Sequence, residues 1–152
     1  MTRPPSAPPL VVRRASSDDL GFVSQDGYLS ERVVLRKLED GDVFIARLGD
    51  EPVGYLRLDR LWSKLPYIEL IRVLEPYRRS GIGRALLAHA EAEAIARGHG
   101  VLYSSSQADE PEPQVWHRHM GFEASGQLDG VNEGGVAEVF FRKVLAPGED
   151  IG

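Results

Sequence analysis

The hydrophobic pattern is clearest over residues 68–96. Ile68-Glu69-Leu70-Ile71-Arg72-Val73-Leu74 is an apolar run rich in β-branched side chains between Pro66 and Pro76, which predicts a buried strand. Arg78-Arg79-Ser80-Gly81-Ile82-Gly83-Arg84 follows as a tight turn. Beyond it Ile82, Leu86, Leu87, Ala90, Ala94 and Ile95 recur at helical spacing, predicting a helix to about Arg97 with Gly98 as its stop. Upstream, the pattern predicts a strand over 10–15 and a short helix from Ser17 to about Gln25. Asp26-Gly27-Tyr28 is then a loop, and Ser30 caps a second helix over 31–39. Two strands over 42–48 and 52–61 are joined by Gly49-Asp50-Glu51. Residues 62–66 read as a turn, with Trp62 as a hydrophobic plug. Downstream come a strand over 100–106, a rigid acidic loop over 109–113, a short helix over 114–120 ending at Gly121, and a closing hairpin of 122–128 with 136–145. The order βααββ, βα, βαββ predicts an α/β (α+β) fold of about seven strands and four helices. Its sheet is mostly antiparallel, with at least one parallel pair where the central helix crosses over.

Composition narrows the class. A chain of 152 residues with 42% hydrophobic and 27% charged content is one ordinary globular domain. We expect a disordered arm over 1–9, which holds four prolines, a single domain over 10–146 and a flexible tail over 147–152. No apolar run is long enough to span a bilayer, and the first residues carry no hydrophobic signal core, so the expected location is cytoplasmic with no membrane partner. The chain has no cysteine, which excludes disulfides, thiolate metal sites and an acyl-cysteine intermediate. A net charge of −5 argues against nucleic acid as a partner. His117 and His119, two apart on a helix, face different ways and make a poor metal pair, so no metal site is expected.

A strand that delivers a glycine turn to a helix N-terminus makes an anion site, because unpaired N–H groups and the positive end of the helix dipole converge there. Residues 78–84 supply the turn, and arginines 78, 79 and 84 add charge suited to phosphate. The segment is neither a Walker A loop, since no Gly-Lys-Ser/Thr follows, nor a dinucleotide fingerprint, since position 86 is Leu.

Arg78-x-x-Gly81-x-Gly83 after a strand ending near Val73 resembles the acetyl-CoA-binding motif of the GNAT N-acetyltransferase superfamily. The segment His117-Arg118-His119-Met120-Gly121-Phe122 is similar to that family's later motif, which usually begins with Tyr. The resemblance runs from about Leu10 to Leu145. It implies a central parallel strand pair that splays apart, with acetyl-CoA as co-substrate in the gap. Residues 78–84 would then hold the pyrophosphate, and the backbone at Val73 and Leu74 would pair with pantetheine. It also implies an amine acceptor, a small molecule or peptide, attacking directly in a ternary complex. Tyr28 becomes a candidate acceptor contact, in the region that overhangs the acceptor in the family. Homodimers are common among such folds, though nothing in this sequence identifies an interface.

The chemistry selects further residues. An alkyl amine of pKa about 10.4 is almost wholly charged at pH 7, and neutralising it costs about 4–5 kcal/mol. A carboxylate base offsets that cost, and Glu69, four residues before Val73 and on the same strand face, is the candidate. Its alternative role is an ion pair with Arg57 or Arg72. His117 stands where the family often places its Tyr acid, so it is the candidate donor to the leaving thiolate; its alternative is a satisfied core histidine. Two further departures from the family pattern are Glu110, near where relatives commonly carry a CoA-contacting Asn, and Pro76, one place late. The missing Tyr keeps open a second reading, a non-catalytic acyl-CoA-binding regulatory domain.

Overall fold

Seven strands and four helices make up a computed structural model that describes residues 8–145. The expected tail over 147–152 and all but the last two residues of the expected arm lie outside the described residues. Strands β1 (Leu10–Arg14), β2 (Val43–Leu48), β3 (Glu51–Leu61), β4 (Leu65–Val73), β5 (Val101–Gln107), β6 (Glu123–Leu128) and β7 (Glu138–Val144) form one sheet in the order β1-β2-β3-β4-β5-β7-β6. The helices are α1 (Leu20–Val23), α2 (Glu31–Glu39), α3 (Ile82–Ala96) and α4 (Pro111–His119). The sheet is mostly antiparallel; β4 and β5 are its parallel pair, registered at Tyr67↔Tyr103. This is the architecture the element order predicts.

The chain packs as two compact units. One comprises residues up to Arg57 together with Ile71–His89; the other comprises Leu58–Leu70 and the residues from Ala90 on. In the first, Ser30 caps α2 by accepting from the Val33 N–H, and Val34 and Leu38 on its apolar side are buried. β1 runs antiparallel to β2 from Leu10↔Leu48, and β2 to β3 with a register shift at Ala46/Arg47. Phe44, Leu56, Ile82 and Leu86 fill the core beneath the start of α3. Gly54 permits that packing. A Cβ there would lie 2.9 Å from the Arg72 carbonyl oxygen and 3.3 Å from the Ile82 and Leu86 side chains.

The second unit pairs β7 with β5 and β6, with Leu102, Phe122 and Phe141 buried. Three details differ from the sequence reading. β4 begins at Leu65, inside the predicted turn, because Trp62 and Ser63 take φ of 53° and 61° and close a two-residue hairpin, with the Lys64 N–H donating to the Leu61 carbonyl at 3.0 Å. Pro66 is tolerated one residue into β4, where its missing N–H costs the ladder only an end bond. Trp62 is 82% exposed and plugs nothing. Finally, α4 starts at Pro111 rather than after the acidic loop, since prolines 111 and 113 fall in the first helical turn, whose N–H groups have no intrahelical partner anyway.

Candidate functional site

In the first unit, β4 ends at Val73 and a 3-10 turn over Glu75–Tyr77 leads into the arginine-rich loop. Arg79 has φ of 66° and Gly81 φ of 85°, so the backbone is held twice in the left-handed region within three residues. The Ser80 hydroxyl donates to the Tyr77 carbonyl and fixes the turn from within. The first i→i−4 bond of α3 runs from the Ala85 N–H to the Gly81 carbonyl at 3.0 Å. The N–H groups of Ile82, Gly83 and Arg84 therefore lead the helix with no intrahelical acceptor. A Cβ on Gly81 would meet nothing within 4 Å, so the space beside Gly81, just before the helix, is open. Arg78, Arg79 and Arg84 are exposed around it. Oriented N–H groups, the dipole of a 15-residue helix and three guanidinium groups suit a diphosphate.

Backbone geometry separates Val73 from Leu74. The Leu74 N–H donates to the Val53 carbonyl at 2.9 Å, so Leu74 faces β3. Successive residues of an extended strand turn their polar groups to opposite sides, so Val73 turns its own away from β3. Its carbonyl accepts from Arg78 Nε at 3.1 Å.

Tyr28 is 77% exposed on the α1–α2 loop, which is held by a buried charge pair absent from the sequence reading. Asp26 accepts from Arg57 Nη1 at 2.5 Å and Nη2 at 3.0 Å, from the Tyr55 hydroxyl at 2.7 Å and from the Tyr28 N–H at 3.0 Å. Arg57 Nη1 also donates to the Val23 carbonyl at 2.9 Å. Burial alone would raise the Asp26 pKa, but hydrogen bonds from Arg57 and Tyr55 overcome it and lower it to about 2. Burial, reinforced by Asp26, pushes Tyr55 well above its ordinary value.

In the second unit, Glu69 is half-buried on β4, two residues from Tyr67 and on the same strand face. His117 lies on α4 and is only 3% exposed. Its ring stacks on Phe141 at 4.5 Å with 4° between planes and meets Phe122 edge-on at 5.4 Å. The Pro113 carbonyl accepts from Nδ1–H at 2.7 Å, which leaves Nε2 to accept from the buried Ser104 hydroxyl at 2.7 Å. Burial lowers the His117 pKa, opposed by the bond to Pro113 and the charge of Glu138. The ring is thus neutral near pH 7 with both nitrogens engaged, the arrangement of a satisfied core histidine. A second group lies across β4, β5 and β7: Tyr67, Ser105 and Glu138 form a hydrogen-bonded chain. Period-2 alternation on β4 signals that Tyr67 shares a face with Glu69, but not which residues of β5 and β7 lie opposite. Among the described residues, no cluster of His, Cys, Asp and Glu could hold a metal ion, and no helix is long and apolar enough to cross a membrane.

Residues 11–122 match the model of the acetyltransferase (GNAT) family. The chain is 32% identical over 139 residues to a streptothricin acetyltransferase of Streptomyces lavendulae, covering 88% of this chain and 68% of that protein. Among solved structures it is similar to Ard1 from Thermoplasma volcanium, with TM-score 0.80 and 16% identity over 90% of this chain and 98% of that one. It is also similar to a Bacillus anthracis str. Ames protein assigned as a streptothricin acetyltransferase and solved in complex with acetyl coenzyme A. There the TM-score is 0.63 and the identity 23%, over 68% of this chain and 62% of that one.

Proposed function

The chain belongs to the acetyltransferase (GNAT) family, and from that membership we propose that it transfers an acetyl group from acetyl-CoA to a primary amine of a small molecule or peptide, by direct attack in a ternary complex. The observation that carries the donor half of this reading is the loop of residues 78–84. Its two left-handed residues turn the chain into the open N-terminus of α3, an environment suited to a pyrophosphate. In this reading Arg78, Arg79 and Arg84 supply charge, and Ser80, Gly81, Ile82 and Gly83 the cradle. Val73, whose backbone turns away from β3, pairs with pantetheine; Leu74, already bonded to Val53, contributes by shape alone.

Glu69 serves as the base that takes the amine to its nucleophilic form, and Tyr28 on its pinned loop contacts the acceptor. As the acid, His117 would act only in a protonated form that its burial disfavours. A His117→Ala enzyme with unaltered turnover and pH profile removes it from the mechanism. A Glu69→Gln enzyme is expected to lose turnover while keeping its affinity for acetyl-CoA. The cytoplasm is the proposed location.

The test is thiol release from acetyl-CoA across a panel of polyamines, aminoglycosides, amino acids, peptides and a streptothricin, the last included for the 32% identical relative. Turnover with an intersecting initial-rate pattern supports direct transfer, and parallel lines refute it. Acetyl-CoA binding without thiol release from any amine favours the alternative, a non-catalytic acyl-CoA-binding regulatory domain, for which the occupied His117 in place of Tyr is the supporting observation.

A further inference from the structure

One polar chain in the second unit is directional. Glu138 on β7 accepts from the Ser105 hydroxyl at 2.5 Å through Oε2 and from Asn132 Nδ2 at 2.9 Å through Oε1. A carboxylate has no proton to give, so the single hydroxyl proton of Ser105 is committed to Glu138. The Tyr67 hydroxyl lies 2.5 Å from the Ser105 oxygen and must therefore be the donor in that bond. The order is fixed as Tyr67 to Ser105 to Glu138, and the phenolic oxygen of Tyr67 is left with lone pairs that can only accept. Burial raises the Tyr67 pKa, opposed by the hydrogen bond to Ser105 and reinforced by the negative charges of Glu138, Glu69 and Asp59, so its hydroxyl stays protonated as a link in such a chain must. Its ring is held against Phe140, with centroids 5.8 Å apart. Tyr67 is also the residue at which β4 registers with its parallel neighbour β5.

We propose that Tyr67, Ser105 and Glu138 form a proton-exit relay for the acceptor amine, with Asn132 holding the terminal carboxylate in place. The proposal rests on the amine-acetylation reading and deepens it. As the amine lone pair forms the new C–N bond, an N–H bond breaks and its proton passes to the Tyr67 oxygen. The Tyr67 proton moves to Ser105, and the Ser105 proton moves to Glu138. Tyr67 and Ser105 end unchanged, and Glu138 ends as a neutral acid that later returns its proton to water. The C–S electron pair leaves with CoA, whose thiolate takes up a proton from solvent.

The test compares Ser105→Ala, Ser105→Thr and Glu138→Gln by initial rates at saturating acetyl-CoA, beside acetyl-CoA-induced thermal stabilisation. The relay requires Ser105→Ala and Glu138→Gln each to lower kcat by about 10–100-fold with both KM values and the stabilisation unchanged. Ser105→Thr, which keeps the hydroxyl, restores kcat to within about threefold of wild type. Wild-type kcat in Ser105→Ala overturns the relay alone, as does a Ser105→Thr enzyme as slow as Ser105→Ala. Loss of acetyl-CoA stabilisation in Ser105→Ala overturns it too, by assigning the chain a structural role. A wild-type enzyme that releases no thiol with any amine overturns the acceptor reading, and the relay with it.

Discussion

Asp26→Asn is the substitution whose cost the geometry defines best. The Asp26 and Arg57 side chains are 0% and 1% exposed, and the carboxylate accepts four hydrogen bonds, two of them from Arg57. The amide has nearly the same shape but no charge, and one of its two terminal atoms donates, so it faces the guanidinium with the wrong polarity. Removing one partner of a buried pair costs about 3–5 kcal/mol, because the other charge stays buried without compensation. Against a typical total of about 5–15 kcal/mol this is a large share, and for a domain of this size it lowers Tm by about 6–20 °C.

A second measurement separates charge from shape. The Asp26 pKa falls from its ordinary 3.8 to about 2 in the folded state. A depressed carboxylate contributes stability that is fully present above its ordinary pKa and is lost as pH falls through the folded value. The pH-dependent part is about 2–3 kcal/mol, at about 1.4 kcal/mol per unit, and disappears between about pH 5 and pH 1. It is smaller than the substitution cost because a protonated Asp26 still occupies the site. Urea melts of wild type and Asp26→Asn over this range give both quantities. A stability difference below about 1 kcal/mol near neutral pH, or equal acid slopes in the two proteins, would refute the argument that this pair is buried and charged.

Three further outcomes follow from local geometry. Gly54→Ala destabilises by about 1–3 kcal/mol, since its Cβ would press on the Arg72 carbonyl, and by shifting the first turn of α3 it weakens acetyl-CoA binding; denaturant melts and a binding titration check the two effects. Trp62→Asn combined with Ser63→Gly relieves two left-handed residues in the β3–β4 hairpin and raises stability by about 1–2 kcal/mol, visible as a higher Tm. Burial lowers the His117 pKa below its ordinary 6.5, so the unfolded chain takes up a proton that the folded chain resists. That contribution is complete above about pH 6.5 and is lost as pH falls below it, so urea melts at about pH 7.5 and pH 5.5 show a drop that is smaller in His117→Gln.

The stretch from β4 through α3 was legible because its signals are local. β-branched residues, a glycine turn and helical spacing each lie within one element. Where the reading missed, local signals misled or were lacking. The β3–β4 turn has no glycine although both its central residues take positive φ, so in the sequence Leu65 and Pro66 read as turn rather than strand. The prolines that open α4 look like loop residues unless the first helical turn is considered. The polar networks were the least visible. Asp26 and Arg57 are 31 residues apart, Tyr67 and Ser105 are 38 apart, and Ser105 and Glu138 are 33 apart. Each pair meets through strand register or loop placement, which no short-range pattern encodes. For the same reason the sequence presented His117 as a candidate acid, while its contacts with Ser104, Pro113 and Phe141 depend on how α4 lies against β5 and β7.

The central claim is that the loop before α3 holds the diphosphate of acetyl-CoA. Calorimetric titration of acetyl-CoA into wild type and into Gly81→Val tests it most directly. Valine at φ of 85° is strained and puts a branched side chain into the open space beside Gly81. The account predicts saturable binding by the wild type and a loss of at least about tenfold in the variant, or about 1.4 kcal/mol, with the variant still folded. A wild-type protein that does not bind acetyl-CoA, or a folded Gly81→Val protein that binds it equally well, would contradict the account.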